Sequence, residues 1–451
     1  MKRNILSCVL LAVMILSSCK KYLDEKPNKK LSIPSTVEDC QALLDLHTYI
    51  NSFVNNAVGE VSSDNYYLTS QTWAGLTQQS YRDMYTWGEE IFYDNGPSQN
   101  EWSSMYTIVY RANVVLEVMD KVQKTELNNA AWDNVYGSAL FLRAEAFSVL
   151  ARNFAKAYTD NSQDLGIPLR MTSDFNTPSV RATVQESYDQ IIRDAKASVP
   201  YLPQSSAHVM RPSKAAAYGL LARVYLSMRV YDKAALYADS SLQIANTLID
   251  YNGASTTATF PFDRFNPEVV YFAQGGPTPL TNTRARIDSV LFLSYAANDL
   301  RKSLFFKSNG DGSYNFKGNY TASVSQFVGI ATDEMYLTKA EAVCRNGDFQ
   351  EGLKILNQLM VKRWKQGTFI PFSASNQSQA LAIILSERRK ELLMRDLRWI
   401  DIKRLNLENA NISLKRILDN GVYTLPPNDN RFALPLPAKI VAISHMPQNP
   451  R

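Results

Sequence analysis

The sequence predicts an all-α dominated fold of tetratricopeptide-like helical hairpins, about four pairs, interrupted by one loop-rich region with little strand. Over most of the chain, apolar residues recur with the spacing of helices, and capping residues stand at several starts. Residues 250–330, by contrast, hold 7 of the 18 glycines and no long helical pattern. The best strand candidate is Glu268–Phe272. A loop region of this length usually carries function.

Composition narrows the class of protein. Of the 451 residues, 45% are apolar and 20% are charged, which is typical of a packed domain and excludes disorder or a polytopic membrane protein. The net charge of +5 has no long basic run behind it, and the densest charged segment, 387–404, mixes both signs. Because a phosphate-reading surface needs charge of one sign on one face, we expect no nucleic-acid partner.

The start of the chain has the pattern of an export signal. Lys2–Arg3 precedes a twelve-residue apolar run, which is too short for a membrane span of ~20 residues but suits a signal-peptide core. The following Leu16–Cys19 resembles the lipobox of bacterial lipoproteins, in which the cysteine becomes the lipidated N-terminus. We therefore predict a signal peptide over 1–18 and a lipid-anchored domain over 19–451. An ordinary signal peptide followed by a chance cysteine is the alternative.

The remaining cysteines do not form a disulfide framework. Once Cys8 is removed and Cys19 is acylated, Cys40 and Cys344 are left. Both lie in helical apolar patterns, so we expect two buried free thiols, with a single bridge between them as the alternative.

Capping residues and apolar spacing place the helices in order. Capping boxes are predicted at Ser35–Glu38, opening a helix to about Ser52, and at Ser98–Glu101 and Thr183–Glu186. The helix after Ser98 carries one buried stripe, formed by Trp102, Met105, Val109, Ala112, Leu116 and Met119. Further helical stretches are predicted at 125–158, 213–229, 232–249, 332–346, 348–366 and 376–404.

Three of these helices share a pattern of small and apolar residues. The copies are Leu142–Phe147, Leu220–Tyr225 and Thr338–Val343. Small residues at fixed positions let paired helices approach closely, as in tetratricopeptide hairpins. Long insertions separate the copies, so we predict a scaffold of hairpins over about 35–249 and 332–404 instead of a tandem array. A generic helical bundle is the alternative.

Several short motifs are spread over essentially the whole chain. They are Lys20–Pro27, Trp102-x-x-x-Tyr106-x-x-Val109-x-x-Ala112-Asn113, Phe141–Ala144, Asn298–Lys302, Glu387–Leu392, Arg398–Arg404, Pro435–Pro437 and Gln448–Pro450. Together with the signal and the lipobox, these motifs resemble those of the RagB/SusD family of nutrient-uptake lipoproteins (SusD-like proteins).

The resemblance implies a location, a partner and a fold. Such proteins are surface-exposed lipoproteins of the outer membrane, here anchored at Cys19. They form a lid on a SusC-type TonB-dependent transporter and deliver oligosaccharides, or in some cases peptides, to it. The implied fold is a single domain of four tetratricopeptide-like helix pairs, in which a loop-rich region, here about 250–330 plus 60–97, carries the ligand site.

No motif of enzyme chemistry is found in the sequence. The three histidines, His47, His208 and His445, are scattered and match no metal-ligand pattern, and there is no nucleophile elbow or phosphate loop. Asn309–Ser313 resembles half a calcium loop but lacks the later Glu, so a tight hairpin turn is the better interpretation. We therefore expect a binding protein with no cofactor, no metal and no catalytic residue.

The candidate ligand site lies in two segments. Ten aromatic residues fall between Glu60 and Tyr106, about twice the chain average, among Ser, Thr, Gln and Asn. A sugar has an apolar C–H face and a hydroxyl rim, so flat rings beside polar side chains suit it. The candidate ligand-binding residues are Asp64, Tyr66, Tyr67, Trp73 and Tyr81 here, and Asn282, Arg284 and Arg286 in the loop 275–289.

Two questions about this site stay open at the level of sequence. Trp73, Tyr66 and Tyr67 lie in polar sequence and are either exposed or packed locally against the helices. The loop 275–289 contains no Trp or Tyr, so an anionic glycan or a peptide is an alternative ligand to a neutral oligosaccharide.

The sequence thus predicts a cell-surface lipoprotein that captures oligosaccharides and delivers them to a SusC-type transporter. The alternatives are a lipid-anchored tetratricopeptide adaptor that binds only proteins, and a peptide-binding member of the same family.

Overall fold

The computed structural model describes residues 34–53, 57–92 and 100–451. The predicted signal peptide, Cys19 and Ser98 lie outside these described residues. Within them, the α-helices in chain order are α1 (Val37–Leu44), α2 (His47–Ile50), α3 (Val58–Ser62), α4 (Ser70–Ala74), α5 (Gln79–Tyr85), α6 (Glu101–Met119), α7 (Asn129–Phe154), α8 (Val184–Ser198), α9 (Lys214–Met228), α10 (Tyr231–Leu242), α11 (Ser289–Leu293), α12 (Arg301–Leu304), α13 (Thr332–Arg345), α14 (Phe349–Met360), α15 (Gln377–Glu391), α16 (Arg398–Asn406) and α17 (Ala438–Ser444).

The strands are short and form small sheets. They are β1 (Ser52–Phe53), β2 (Tyr66–Tyr67), β3 (Leu165–Pro168), β4 (Arg181–Thr183), β5 (Val269–Tyr271), β6 (Gln274–Gly275), β7 (Arg286–Ile287), β8 (Phe306–Ser308), β9 (Tyr314–Phe316), β10 (Gln326–Phe327), β11 (Ile330–Ala331), β12 (Leu414–Leu418) and β13 (Gly421–Leu425). One sheet has the order β1-β6-β10, and the pairs are β2-β7, β3-β4, β5-β11, β8-β9 and β12-β13. The predicted strand at Glu268–Phe272 is confirmed as β5.

Eight helices form a row in which each contacts the next, in the order α6, α7, α8, α9, α10, α13, α14 and α15. Helices α10 and α13 touch although the loop-rich region 250–330 lies between them in sequence. The row is therefore continuous in space, and the loop-rich region is an insertion between two of its neighbouring helices. The predicted all-α scaffold of helical hairpins is confirmed.

A small residue sets the spacing of one pair in the row. A Cβ atom on Gly352 of α14 would lie 2.9 Å from the carbonyl oxygen of Ala340 and 2.9 Å from Cβ of Cys344, both on α13. Glycine is therefore required for this close approach. Cys344 and Cys40 are buried free thiols, as predicted.

The helix starts differ in detail from the predicted capping boxes. The box at Thr183 and Glu186 is confirmed. The first helix is capped by Thr36 with Asp39 instead of Ser35 with Glu38, and it ends at Leu44, before the predicted end. Helix α6 is capped by Asn100 together with Ser103 (not among the predicted pairs). Local sequence thus located each of these three starts to within two residues.

The helical stretch predicted over 376–404 consists of two helices, α15 and α16, separated by a turn. Met394 and Asp396 in this turn have positive φ angles of 59° and 58°. The Asp396 N–H donates to Oε2 of Glu60 at 3.1 Å, and Oδ1 of Asp396 accepts from the Glu60 N–H at 3.0 Å. The Asp396 carboxylate also binds Arg152. These partners are remote in sequence, so local periodicity does not report the turn.

Buried ion pairs join the loop-rich region to the row of helices. Arg301 Nη1 lies 3.0 Å from Oε2 of Glu391, and Arg363 Nε lies 2.6 Å from its Oε1. Arg363 also binds Glu268 at 2.8 Å, and Arg301 binds Asp299 at 2.7 Å. All five side chains are fully buried. We call this group the Glu391 network.

Charged side chains of the segment 387–404 are paired both locally and with remote residues. Glu387 binds Lys390 one turn later. Glu391 belongs to the Glu391 network, and Arg395 binds Asp333 at 2.9 Å.

The hairpin predicted at Asn309–Ser313 is confirmed. It joins β8 and β9, and Gly310 and Gly312 have φ angles of +83° and +84°, which glycine adopts without strain. Among the described residues, no helix is both long and apolar enough to cross a membrane.

Candidate ligand-binding site

The two segments predicted to hold the ligand meet in the structure. Strand β2 pairs with β7 in antiparallel register, so that Tyr66 is opposite Ile287 and Tyr67 is opposite Arg286. The pairing continues with a hydrogen bond of 3.0 Å from the Asp288 N–H to the Asn65 carbonyl. Segments distant in sequence thus present Tyr67 and Arg286 side by side.

Arg286 is the centre of a polar cluster at this junction. Its Nη1 atom lies 2.5 Å from Oδ2 of Asp311 and 2.8 Å from Oγ of Ser313. Asp311 and, to a smaller extent, the nearby Tyr67 phenol raise the pKa of Arg286. We call Tyr67, Arg286, Asp311 and Ser313 the Arg286 cluster. The loop-rich region supplies three of its members and the aromatic segment supplies the fourth.

The cluster is charged and partly open to solvent. The Ser313 hydroxyl and the Arg286 guanidinium lower the pKa of the Asp311 carboxyl to about 2, so it is ionised at neutral pH. The side chain of Arg286 remains 29% exposed. A phenol ring, a guanidinium, a carboxylate and a hydroxyl are therefore presented together, which is a set of donors and acceptors beside an aromatic face.

The rest of the second loop is held against the same hairpin. The Asn282 carbonyl accepts from the Asn315 side chain on β9, and Arg284 Nη1 donates to Oγ1 of Thr281 at 3.2 Å. Asn282 and Arg284 are both partly exposed. The structure therefore places Asn282 and Arg286 against the β8-β9 hairpin, while Arg284 is bonded within its own loop.

Tyr81 is a residue of helix α5, and Trp73 is hydrogen-bonded to the same helix. Trp73 is half-buried in α4, and its Nε1–H donates to the Arg82 carbonyl at 3.1 Å. Tyr81 is buried and interacts with Thr278, which lies within the second ligand loop. Tyr81 thus supports the loop from beneath, while only Trp73 keeps part of its ring accessible to a ligand.

Tyr66 was expected at the ligand surface and lies in the core instead. It is 1% exposed, its hydroxyl donates to the Val61 carbonyl at 2.8 Å, and its ring packs near Tyr85. Successive residues of a strand point to opposite faces, so the same strand that turns Tyr67 outward turns Tyr66 inward. Tyr66 therefore positions β2 and offers no face to a ligand.

Asp64 was expected to accept hydrogen bonds from ligand hydroxyls, but arginines occupy it. Arg398 Nε and Nη2 donate to its two carboxylate oxygens at 2.7 and 2.9 Å, and Arg389 Nη2 lies 3.2 Å away. Burial opposes ionisation of Asp64, but Arg398 and Arg389 outweigh it and lower its pKa well below the usual range. Asp64 therefore belongs to a different, arginine-rich site on α15 and α16.

Two residues of the Arg286 cluster were missed in the sequence. Asp311 and Ser313 were interpreted only as parts of a turn. Asp311 does stabilise that turn, because its Oδ1 accepts from the Ser313 N–H at 3.0 Å. Its other oxygen faces Arg286, which the turn motif alone does not reveal. In the described ranges, no group of three or more His, Cys, Asp or Glu side chains is arranged to hold a metal ion.

These features define a class of protein in which a row of helical hairpins supports a loop-borne binding surface. The family profile described as "Starch-binding associating with outer membrane" matches residues 21–226, and the profile of the SusD family matches residues 317–432. The chain belongs to the SusD/RagB family. This is a family of carbohydrate-binding proteins associated with the outer membrane.

Individual relatives are distant but match over most of their length. SusD-like protein P2 of Formosa agariphila is 25% identical over 426 residues, which cover 79% of this chain and 81% of that protein. A putative sugar binding protein of Bacteroides vulgatus has a TM-score of 0.74 at 23% identity, covering 93% of this chain and 99% of the other. A SusD superfamily protein of Bacteroides thetaiotaomicron has a TM-score of 0.72 at 20% identity, covering 92% and 100%. The structural likeness establishes the fold.

Proposed function

We propose that this protein captures oligosaccharides at the cell surface through the Arg286 cluster and Trp73, and delivers them to a SusC-type TonB-dependent transporter. The observation that carries the proposal is the pairing of β2 with β7, which puts Tyr67 beside Arg286. Family membership supplies the ligand class, because the family is one of carbohydrate-binding proteins.

The chemistry of the cluster supports a hydroxylated ligand. Arg286 and Ser313 donate hydrogen bonds, Asp311 accepts them, and Tyr67 does both beside an apolar ring face. A sugar ring needs this combination, since its C–H face packs on a ring while its hydroxyls exchange hydrogen bonds at the edge. Trp73 adds a second, partly accessible ring on the same aromatic segment.

The proposal is tested by measuring oligosaccharide affinity of the lipid-free chain, residues 20–451, on a glycan array followed by calorimetry. We expect Arg286→Ala to weaken binding about tenfold or more, because it removes charge-assisted hydrogen bonds worth roughly 1.5–3 kcal/mol. Arg431→Ala is a matched control, since Arg431 also pairs with an aspartate and is 28% exposed against 29% for Arg286. Equal affinities of both variants would refute the site.

Anchoring and delivery are tested separately. If Cys19 carries the lipid, Cys19→Ala should move the protein out of the membrane fraction, and an unchanged fraction would exclude anchoring there. Gentle solubilisation and affinity purification should recover a TonB-dependent transporter with this chain, through an interface of the standard ~1,600 Å² or more. Repeated recovery of the chain alone would contradict the delivery step.

A further inference from the structure

A cavity of about 380 Å³, separate from the Arg286 cluster, lies between α11, α15, α16 and the segment after α16. Its lining combines Arg389, Arg398 and Lys390 with two serines, Ser294 and Ser386, and with aliphatic side chains. The aliphatic walls include Val290, Leu291, Leu385 and Ile412. The volume is within the range of small-ligand pockets, roughly 300–1,000 Å³. None of the described residues of the Arg286 cluster lines it.

The two arginines of this cavity share one carboxylate. Arg398 binds both carboxylate oxygens of Asp64, and Arg389 makes one contact of 3.2 Å to the same carboxylate, a hydrogen bond of 3.0 Å to the Asp64 carbonyl and a long one of 3.4 Å to Asn65. Two guanidinium groups thus share one carboxylate, and burial together with the neighbouring Arg398 lowers the pKa of Arg389. The side chain of Arg389 is 25% exposed.

The other charged groups nearby are engaged elsewhere. Lys390 is paired with Glu387, which also binds Arg301. Asp288 acts on Arg389 only as a nearby negative charge, and its carboxylate accepts from the Leu291 N–H at 2.8 Å at the start of α11. Arg389 is therefore the group in this cavity with charge available for an anionic ligand.

The shape of the cavity selects among anions. A carboxylate fits a guanidinium in a planar, hydrogen-bonded pair. No described lining residue is aromatic, so the cavity lacks the flat rings on which sugar faces pack. At its rim, Val290 is 75% exposed, which is an unpartnered apolar surface beside the charge. Aliphatic walls next to an arginine suit an aliphatic group that bears a carboxylate.

We propose that this cavity binds a carboxylate carried on an aliphatic group, with the carboxylate on Arg389 and the aliphatic part against Val290 and Leu385. A short free carboxylic acid and the C-terminus of a peptide ending in an aliphatic residue both present this chemistry. The site is separate from the Arg286 cluster, so it stands or fails independently of oligosaccharide binding there.

The test measures binding of N-acetyl-leucine, N-acetyl-leucinamide and 4-methylpentanoate to the lipid-free chain by calorimetry. We expect N-acetyl-leucine to bind about tenfold more tightly than its amide, and Arg389→Gln to remove that preference, since the lost contact is charge-assisted. Tighter binding of N-acetyl-leucine than of 4-methylpentanoate would assign the site to peptide C-termini. The reverse order would assign it to free acids.

A second variant tests the proposal independently in case Arg389→Gln does not fold. Ser386 lines the cavity and is exposed. Ser386→Trp should therefore fill the cavity and abolish binding of N-acetyl-leucine. Trp73→Ala should leave that binding unchanged. The proposal is overturned if acid and amide bind equally, or if no probe binds up to about 10 mM. It is also overturned if only a uronate oligosaccharide binds in an Arg389-dependent manner.

Discussion

The arginine–carboxylate pairs of the Glu391 network and those of the ligand surface have the same chemistry in different surroundings. In the network, Arg301 and Arg363 are fully buried and each binds two or more carboxylates. At the surface, Arg286 and Arg389 are about one quarter exposed, and each depends on a single carboxylate. Burial and the number of partners thus separate arginines that hold the fold from arginines that can bind a ligand.

Solvent access decides how much stability is lost when one partner of an ion pair is removed. Removing one partner of a buried pair leaves an uncompensated charge in a medium of low dielectric, whereas an exposed pair exchanges its partner with water at little cost. The network joins the loop-rich region to α14 and α15, so its loss also releases the loops from the helical row. We therefore expect the effects of substitution to fall from the network outward to the ligand surface.

The largest expected effect is that of Arg301→Met. This variant leaves Asp299, Glu387 and Glu391 without their shared cation, and it should lower the free energy of unfolding by roughly 3–5 kcal/mol. Urea unfolding followed by circular dichroism measures the change. Lys354→Met is the matched control, because Lys354 pairs with Glu351 at the surface and its loss should leave the midpoint unchanged. A similar loss in both variants would contradict the comparison.

The second effect is the pH dependence contributed by Glu60. Burial raises the pKa of this carboxyl to about 7, although hydrogen bonding from Asn65 opposes the shift. As pH rises, Glu60 loses its proton near its ordinary pKa of 4.5 in the unfolded chain. In the folded chain it keeps the proton up to about pH 7. The stability that protonation contributes is lost as pH rises from about 4.5 through about 7.

The variant Glu60→Gln isolates this contribution because it cannot ionise. Between pH 5 and pH 8, the free energy of unfolding of the natural chain should fall by on the order of 2–3 kcal/mol more than that of the variant. Urea titrations of both proteins at the two pH values measure the difference. Parallel pH profiles would show that Glu60 does not remain protonated in the folded state.

The third effect concerns Trp73, which contacts helix α5 and which we propose as part of the ligand surface. Because it is half-buried and bonded to the Arg82 carbonyl, Trp73→Ala should lower the melting temperature as well as weaken oligosaccharide binding several-fold. Trp73→Phe keeps a ring and loses one hydrogen bond, so it should cost only about 1 kcal/mol of stability and retain most of the affinity. If both variants bind equally well, the ring of Trp73 is not part of the ligand surface.

The scaffold followed from sequence because helix periodicity and capping are local. The loop-rich interruption between α10 and α13 was located by the absence of that periodicity. The break at Asp396 was missed, since the groups that hold it, Glu60 and Arg152, lie far away in the chain. Local patterns thus give elements, while turns fixed by remote charges need the three-dimensional structure.

The candidate site was predicted only in outline for the same reason. The two segments that form it were identified, and β2 and β7 bring them together. Individual residues were less certain, because a one-residue difference along a strand decides whether Tyr66 or Tyr67 faces outward. Asp64 was predicted to be a free acceptor, but Arg389 and Arg398, more than three hundred residues later in the chain, bind it.

The smallest expected effect tests whether the surface pair can exchange its partner. In Asp311→Asn, Arg286 loses the one carboxylate that it binds among the described residues, and the pair is exposed, so stability should change little. The freed guanidinium should then bind a uronate-bearing oligosaccharide several-fold more tightly, while a neutral oligosaccharide, which loses a charged acceptor, should bind slightly more weakly. Calorimetry with one neutral and one uronate oligosaccharide measures both changes. If neither affinity changes, Arg286 is fixed by its protein partners in the same way as Arg301, and the distinction between the two kinds of arginine fails at this site.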